Sequence, residues 1–253
     1  RSPGLSTTGR PGNDTTQDGA DVANLSLGGW GNHRDPLSTA VNNAVSAGMS
    51  VVVSAGNSGP YGGSDCRGWS FPDGSEQSIC SPGVAEKAIT VAASYKKDYE
   101  GKYWGKLNPK KDEIAGFSSR GPYENFWDNT FVLKPDITAP GAILCSARYD
   151  SIFPEGENPV YFPCLDNEHL QLAGTSMAAP VISGVVALMK QKNPERSPEQ
   201  IKSILKSTAK NIFQPLNAQG WGRVDVFEAL QYSGIPPEAK ITKIDYYLEE
   251  LSV

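Results

Sequence analysis

Leu172-Ala173-Gly174-Thr175-Ser176-Met177-Ala178-Ala179-Pro180 is the stretch that decides how this chain is read. It sets a serine at the start of a helix, with a glycine close before it and small residues after. Met177, Val181, Ile182, Val185, Val186, Leu188 and Met189 make the segment apolar nearly all round, broken only by Ala, Ser and Gly. A helix of that kind is expected to be buried. Pro180 falls near the helix start, where its missing N–H costs least. Lys190, Lys192 and Asn193-Pro194 supply the stop. A serine hydroxyl attacks only after a base has taken its proton. The helix N-terminus favours the negative charge that then develops on a substrate oxygen.

Around this helix the chain alternates strand and helix signals. Asp35-Pro36 reads as an N-cap followed by proline at the first helical position. Leu37, Ala40, Val41, Ala44 and Val45 fall on one predicted face, and Gly48 closes the helix. Met49–Ser54 and Ala88–Ala93 are continuous apolar runs of the kind found in buried parallel strands. Ile137 and Ile143-Leu144 mark further strand material. Ser197-Pro198-Glu199-Gln200 is a capping box ahead of Ile201, Ile204 and Leu205. Such alternation predicts an α/β domain with a mostly parallel sheet. Glu100–Glu113, charged and dotted with aromatics, reads as a surface loop or hairpin.

Gly174-Thr175-Ser176-Met177-Ala178-Ala179-Pro180 resembles the nucleophile signature of subtilisin-like serine proteases, the subtilases. Further segments follow that family's order. Asn24-Leu25-Ser26-Leu27-Gly28-Gly29 is similar to its substrate-pairing strand, and Val51-Val52-Val53-Ser54-Ala55-Gly56-Asn57 to the strand ending in its oxyanion asparagine. Phe117-Ser118-Ser119-Arg120-Gly121-Pro122, Lys134-Pro135-Asp136-Ile137-Thr138-Ala139-Pro140-Gly141 and Gly220-Trp221-Gly222-Arg223-Val224-Asp225 complete the match, over roughly residues 20 to 231. The resemblance implies a three-layer subtilisin-like fold. It implies Ser176 as nucleophile and Asn57 as oxyanion donor, together with the Ser176 backbone N–H. It also implies a substrate cleft lined by Leu25, Ser26, Leu27, Gly28, Gly29, Ser54, Ala55, Gly56 and Thr175. The small residues of the Ser26-Leu27-Gly28 and Ser54-Ala55-Gly56 walls suggest a roomy cleft for a large apolar side chain.

In this family the triad aspartate and histidine precede the serine in the chain. The residues before Asn24 are Gly-, Thr- and Asp-rich and contain no histidine. His33 sits in a Gly-rich loop and His169 leads into the Ser176 helix; neither stands in a motif that would supply the base. Asp14 and Asp18 read as solvated. Two expectations stay open. The missing groups belong to a separate N-terminal fragment of the same protease, or the protein is an inactive relative that binds peptides or a partner. The organisation expected is a loop-like leader over 1–19, the C-terminal portion of a catalytic domain over 20–235, with the N-terminal part of the domain absent, and an extension over 236–253.

Composition bounds the rest. Net charge is −5, with charges scattered and no basic stripe, which argues against nucleic acid as a partner. No apolar run is long enough to cross a membrane. Cys66, Cys80, Cys145 and Cys164 permit three connectivities. Closeness in sequence favours Cys66–Cys80 and Cys145–Cys164, and disulfides point to an oxidising, extracellular setting. No cofactor is expected for the chemistry. Structural calcium is common in the family, yet no carboxylate cluster stands out as its site. A peptide or protein substrate, a propeptide and an inhibitor are the further partners the resemblance suggests.

Overall fold

The computed structural model describes residues 19–59, 78–103, 106–125, 130–147, 162–163 and 168–234. Along the chain the elements are β1 (Val22–Leu25), α1 (Pro36–Ser46), β2 (Ser50–Ser54), β3 (Ile89–Tyr95), and the short antiparallel pair β4 (Lys102–Tyr103) and β5 (Lys106–Leu107). There follow the pair β6 (Tyr123–Asn125) and β7 (Thr130–Val132), then β8 (Ile137–Ala142), β9 (Leu144–Ala147), β10 (Phe162–Pro163) and β11 (His169–Leu172). Four helices follow among the described residues: α2 (Thr175–Lys192), α3 (Pro198–Ser207), the single turn α4 (Leu216–Gln219) and α5 (Val226–Gln231).

The central sheet has the order β1-β2-β3-β8, with every neighbouring pair parallel. Parallel neighbours need a crossover, and α1 supplies the one between β1 and β2. Period-two alternation sorts the β2 side chains. Val51 and Val53 join Val41 and Val45 of α1 on one face, while Val52 joins the α2 side. Ile89, Val91, Ala93, Ile137 and Ala139 meet Ala178, Ala179, Ile182, Val186 and Met189 of α2 in the larger core. The α/β expectation, with a mostly parallel sheet between helical layers, is what the structure shows. β9, β10 and β11 form a separate antiparallel sheet that leads into α2.

The helix boundaries follow their local chemistry. Asp35 caps α1, its side chain accepting from Ser38 N, with Pro36 just inside. Ser197 and Gln200 form the reciprocal capping box of α3. The buried face of α1 differs from the predicted one. Ser38, Val41 and Val45 are buried, whereas Leu37 and Ala40 are exposed. Ser38 is drawn inward by its hydroxyl contact with Ser81 Oγ at 3.2 Å. Nor is α2 buried all round: Pro180, Gly184, Ala187 and Leu188 are exposed on the side away from the sheet. Gly220-Trp221-Gly222 lies along β8. Trp221 N donates to Asp136 O and Thr138 N to Gly222 O, so this late segment extends the sheet's hydrogen bonding.

Under the sheet end sits a buried charge cluster. Asp136 accepts from Lys134 Nζ at 2.7 Å, Lys206 Nζ at 2.9 Å and Lys202 Nζ at 3.0 Å. Thr90 N also donates to it, at 2.9 Å. Burial opposes the Asp136 charge, but the three ammonium groups outweigh it and hold the carboxyl far below the usual range.

Candidate active site

The site forms where the C-terminal end of β2 meets the N-terminus of α2. Gly174 occupies the N-cap of α2 without a side-chain cap, so the first-turn N–H groups need other partners. Thr175 N donates to Asn57 Oδ1 at 2.8 Å. The Thr175 hydroxyl donates to the same oxygen at 3.0 Å and accepts from Gly56 N at 3.1 Å. These two donors fix the orientation of the Asn57 amide, since only its oxygen can accept them. The Nδ2 donors are thereby left over. Neither Nδ2 nor the Ser176 N–H has a hydrogen-bond acceptor among the described residues.

Ser176 is half-buried. Its Oγ donates to Ser26 O at 3.3 Å, and Ser26 Oγ donates back to Ser176 O at 2.7 Å. Asn24 Nδ2 donates to Ser26 Oγ at 2.9 Å, and Ser183 Oγ donates to Asn24 Oδ1 at 2.9 Å. The turn carrying Ser176 is therefore tied to the end of β1 by a chain of four polar side chains. Neither His33 nor His169 is the partner of Ser176 Oγ. His33 lies in the turn before α1, and His169 is paired in register with Ala147 in the separate sheet.

Leu25 ends β1, and Ser26–Gly29 continue past it alongside Ser54–Gly56. Ser54 Oγ joins the two segments by donating to Leu27 O at 3.1 Å. A third segment crosses both. Gly29 and Ser81 exchange backbone hydrogen bonds at 3.0 Å each, and Cys80 N donates to Ala55 O at 2.9 Å. The gap between the walls is not empty, because Cys80 packs there against Gly28 and Gly56. Cys80 and Cys145 are each disulfide-bonded; Cys66 and Cys164 lie outside the described residues, as do Asp14 and Asp18. No group of three His, Cys, Asp or Glu that could hold a metal occurs among the described residues.

Several participants escape the sequence reading. Ser183 has no motif of its own, and Asn24 stands in a motif whose reading gave it no role. The signal for Asn24 is a polar residue two positions before Ser26, the spacing that sets both side chains on one side of an extended segment. Ser119 is a third case. Its N donates to Gly56 O, and its Oγ accepts from Ser58 N at 3.1 Å, which braces the turn that carries Asn57.

The model of the Subtilase family matches residues 5–222. The chain belongs to the subtilase family. It is 34% identical over 218 residues to the serine protease AprX of Bacillus subtilis, a match covering 84% of this chain and 43% of that protein. Fervidolysin of Fervidobacterium pennivorans is 35% identical over 206 residues, 81% of this chain and 24% of its own length. The crystal structure of fervidolysin superposes with a TM-score of 0.56 at 32% identity, covering 87% of this chain and 27% of that one. That of MycP1 gives 0.57 at 26% identity, over 87% and 64%. The chain thus spans less than half the length of AprX and of fervidolysin.

Proposed function

We propose that this chain is the nucleophile-bearing portion of a secreted serine endopeptidase, acting through an acyl-enzyme on Ser176. The observation that carries the reading is the pair of unused donors, Ser176 N–H and Asn57 Nδ2, beside the Ser176 hydroxyl. Two fixed donors converging near a hydroxyl suit the oxyanion of a tetrahedral acyl-transfer intermediate, and their orientation is set before substrate arrives. Ser176 would attack the scissile carbonyl, with Ser26 O accepting a substrate backbone N–H.

In this proposal the histidine base and its aspartate come from a segment outside these 253 residues, either earlier in the same polypeptide or a separate fragment. Two features support it. The outer edge of β1 has no strand partner among the described residues, and the exposed side of α2 carries Leu188 at 47% exposure with Pro180, Gly184 and Ala187. An open strand edge beside an apolar helix face is a surface that further chain would cover. Secretion is supported by the disulfides at Cys80 and Cys145. We assign their partners as Cys66 and Cys164 respectively.

The test is an active-site label. A fluorophosphonate applied to the native full-length protein should modify Ser176, and Ser176→Ala should lose both label and peptide hydrolysis. An unlabelled Ser176 in a preparation that contains the histidine-bearing segment would refute the enzyme and favour a peptide-binding relative. The bond from Ser176 Oγ to Ser26 O, rather than to a base, is the observation that keeps that second reading in play.

A further inference from the structure

On the reading of Ser176 as nucleophile, we infer that Asn24 and Ser183 are positioning residues for it. Together they hold the Ser26 hydroxyl in place as donor to the Ser176 carbonyl, a group that Pro180 leaves without its helical partner. Inside an α-helix a carbonyl accepts from the N–H four residues on. For Ser176 that residue is Pro180, which lies inside α2. Proline has no N–H, and its ring crowds the carbonyl four residues back. The Ser176 carbonyl is thus left out of the helical ladder and needs another donor. Ser26 Oγ supplies it at 2.7 Å, while Ser26 O accepts from Ser176 Oγ at 3.3 Å. Ser26 therefore grips Ser176 twice, by side chain at the carbonyl and by backbone at the hydroxyl.

A serine hydroxyl has a single proton, so the first grip depends on where Ser26 sends it. Asn24 Nδ2 donates to Ser26 Oγ at 2.9 Å, which leaves that proton for Ser176 O. Ser183 Oγ donates to Asn24 Oδ1 at 2.9 Å and so keeps the amide nitrogen turned toward Ser26. The amide has one other orientation. With it reversed, its oxygen would take the Ser26 proton. Ser183 Oγ would then accept from the nitrogen and turn its own proton to Ala179 O, 3.1 Å away. Every group but one would still be satisfied; the Ser176 carbonyl would have lost its donor. The fold sets the chain up through two periods. Ser176, Pro180 and Ser183 follow one stripe of α2 at i, i+4 and i+7, and Asn24 and Ser26 stand two apart at the end of β1. The contacts that orient Asn57 run through Thr175 and Gly56 and do not pass through this chain. Losing Asn24 or Ser183 therefore loosens the attacking hydroxyl and leaves the oxyanion donors in place.

The experiment uses the full-length protein. It measures kcat and KM on one peptide substrate, the rate of fluorophosphonate labelling at Ser176, and thermal unfolding after labelling, when autolysis is blocked. Ser183→Ala should lower kcat and the labelling rate by about three- to tenfold, the loss of one net hydrogen bond, with KM within about twofold of the parent. Ser183→Thr, which keeps the hydroxyl, should retain the parent's values. Asn24→Ala should lose at least as much as Ser183→Ala. Adding Ser183→Ala to it should change kcat by less than about twofold, because both act through the same proton. Alanine is the better helix former, so a Ser183 of merely structural role would leave kcat unchanged and Tm equal or higher. Parental kcat in Ser183→Ala overturns the inference. So do losses that multiply in the double variant, and a loss that appears as raised KM with lowered Tm. A parent that takes no label at Ser176 removes the nucleophile reading itself and this inference with it.

Discussion

Asp136→Asn should be among the most destabilising single changes in this subtilase. The carboxylate is 2% exposed and accepts from three lysines at 2.7, 2.9 and 3.0 Å. Asparagine keeps nearly the same shape and an oxygen for the Thr90 N–H, so the change removes charge rather than volume. It leaves Lys134, which is fully buried, beside two further ammonium groups with no counter-charge. Breaking a buried pair by removing one partner costs about 3–5 kcal/mol. For a domain of this size each kcal/mol moves Tm by roughly 2–4 °C, which gives a fall of about 6–20 °C. Thermal and urea unfolding of the full-length Ser176→Ala protein, where autolysis cannot intervene, would read it. The cause is checked by adding Lys202→Met. If stranded positive charge is the source of the loss, the double variant regains at least about 1 kcal/mol relative to Asp136→Asn alone, a coupling of the size seen between residues in one network. An Asp136→Asn protein within 1 kcal/mol of its parent, or a double variant whose losses simply add, would refute the reasoning.

Other consequences are open to measurement. Asn57→Ala should lower kcat with little change in KM, since the donor acts on charge present only in the transition state. In subtilisin itself, the type case, that loss is about 10²–10³ in kcat, and the figure is borrowed from it; an equal loss of label binding and turnover with raised KM would point to collapse of the loop instead. Gly28→Ala would push its new methyl into Cys80 and should cost about 1–3 kcal/mol by overpacking, read by urea denaturation; a neutral change would mean that the Cys80 segment yields. Ser197→Ala removes half of the α3 capping box and should cost about 0.5–2 kcal/mol, against which Glu199→Ala serves as a control outside the box. Burial holds the Lys202 ammonium well below its usual pKa despite the nearby Asp136. Between that lowered folded value and the unfolded value of about 10.4, the unfolded chain binds more protons than the folded one. This lysine therefore adds stability as pH rises through the window. Parent stability should climb with alkaline pH relative to Lys202→Met, and a pH-independent difference between the two would contradict the assignment.

The parts of the fold legible in the sequence are those whose causes are local. Asp35-Pro36 and Ser197-Pro198-Glu199-Gln200 carry their own caps, and both helices start where those caps stand. The run Val51-Val52-Val53 has no polar position at all, which suits only a strand covered on both faces. Ser176 and Asn57 are legible as a pair because their motifs are compact. What the sequence hides depends on contacts between distant segments. The exposed side of α2 is made of Pro180, Gly184, Ala187 and Leu188, residues that would sit equally well inside, and only the packing decides. The place of Cys80 rests on the Gly29–Ser81 bridge, and the Asp136 cluster gathers lysines from α3 onto a strand far from it in the chain. Spacing in the sequence carries no trace of either.

The division of labour at the site has a physical consequence. The contacts that orient the proposed oxyanion donors lie within this chain: Gly56 N holds the Thr175 hydroxyl, Thr175 holds the Asn57 oxygen, and the α2 N-terminus presents the Ser176 N–H. The proton acceptor belongs to the proposed outside segment. Transition-state stabilisation by fixed donors persists without a complete triad, at roughly 10³–10⁴ over water in the serine proteases where it has been dissected. The two halves of the machinery should therefore separate experimentally. Disturbing the contact between the outside segment and α2, for example with Leu188→Lys on the exposed helix face, should slow fluorophosphonate labelling by displacing the base. The Thr175–Asn57 geometry should be untouched, because none of its hydrogen bonds passes through that face.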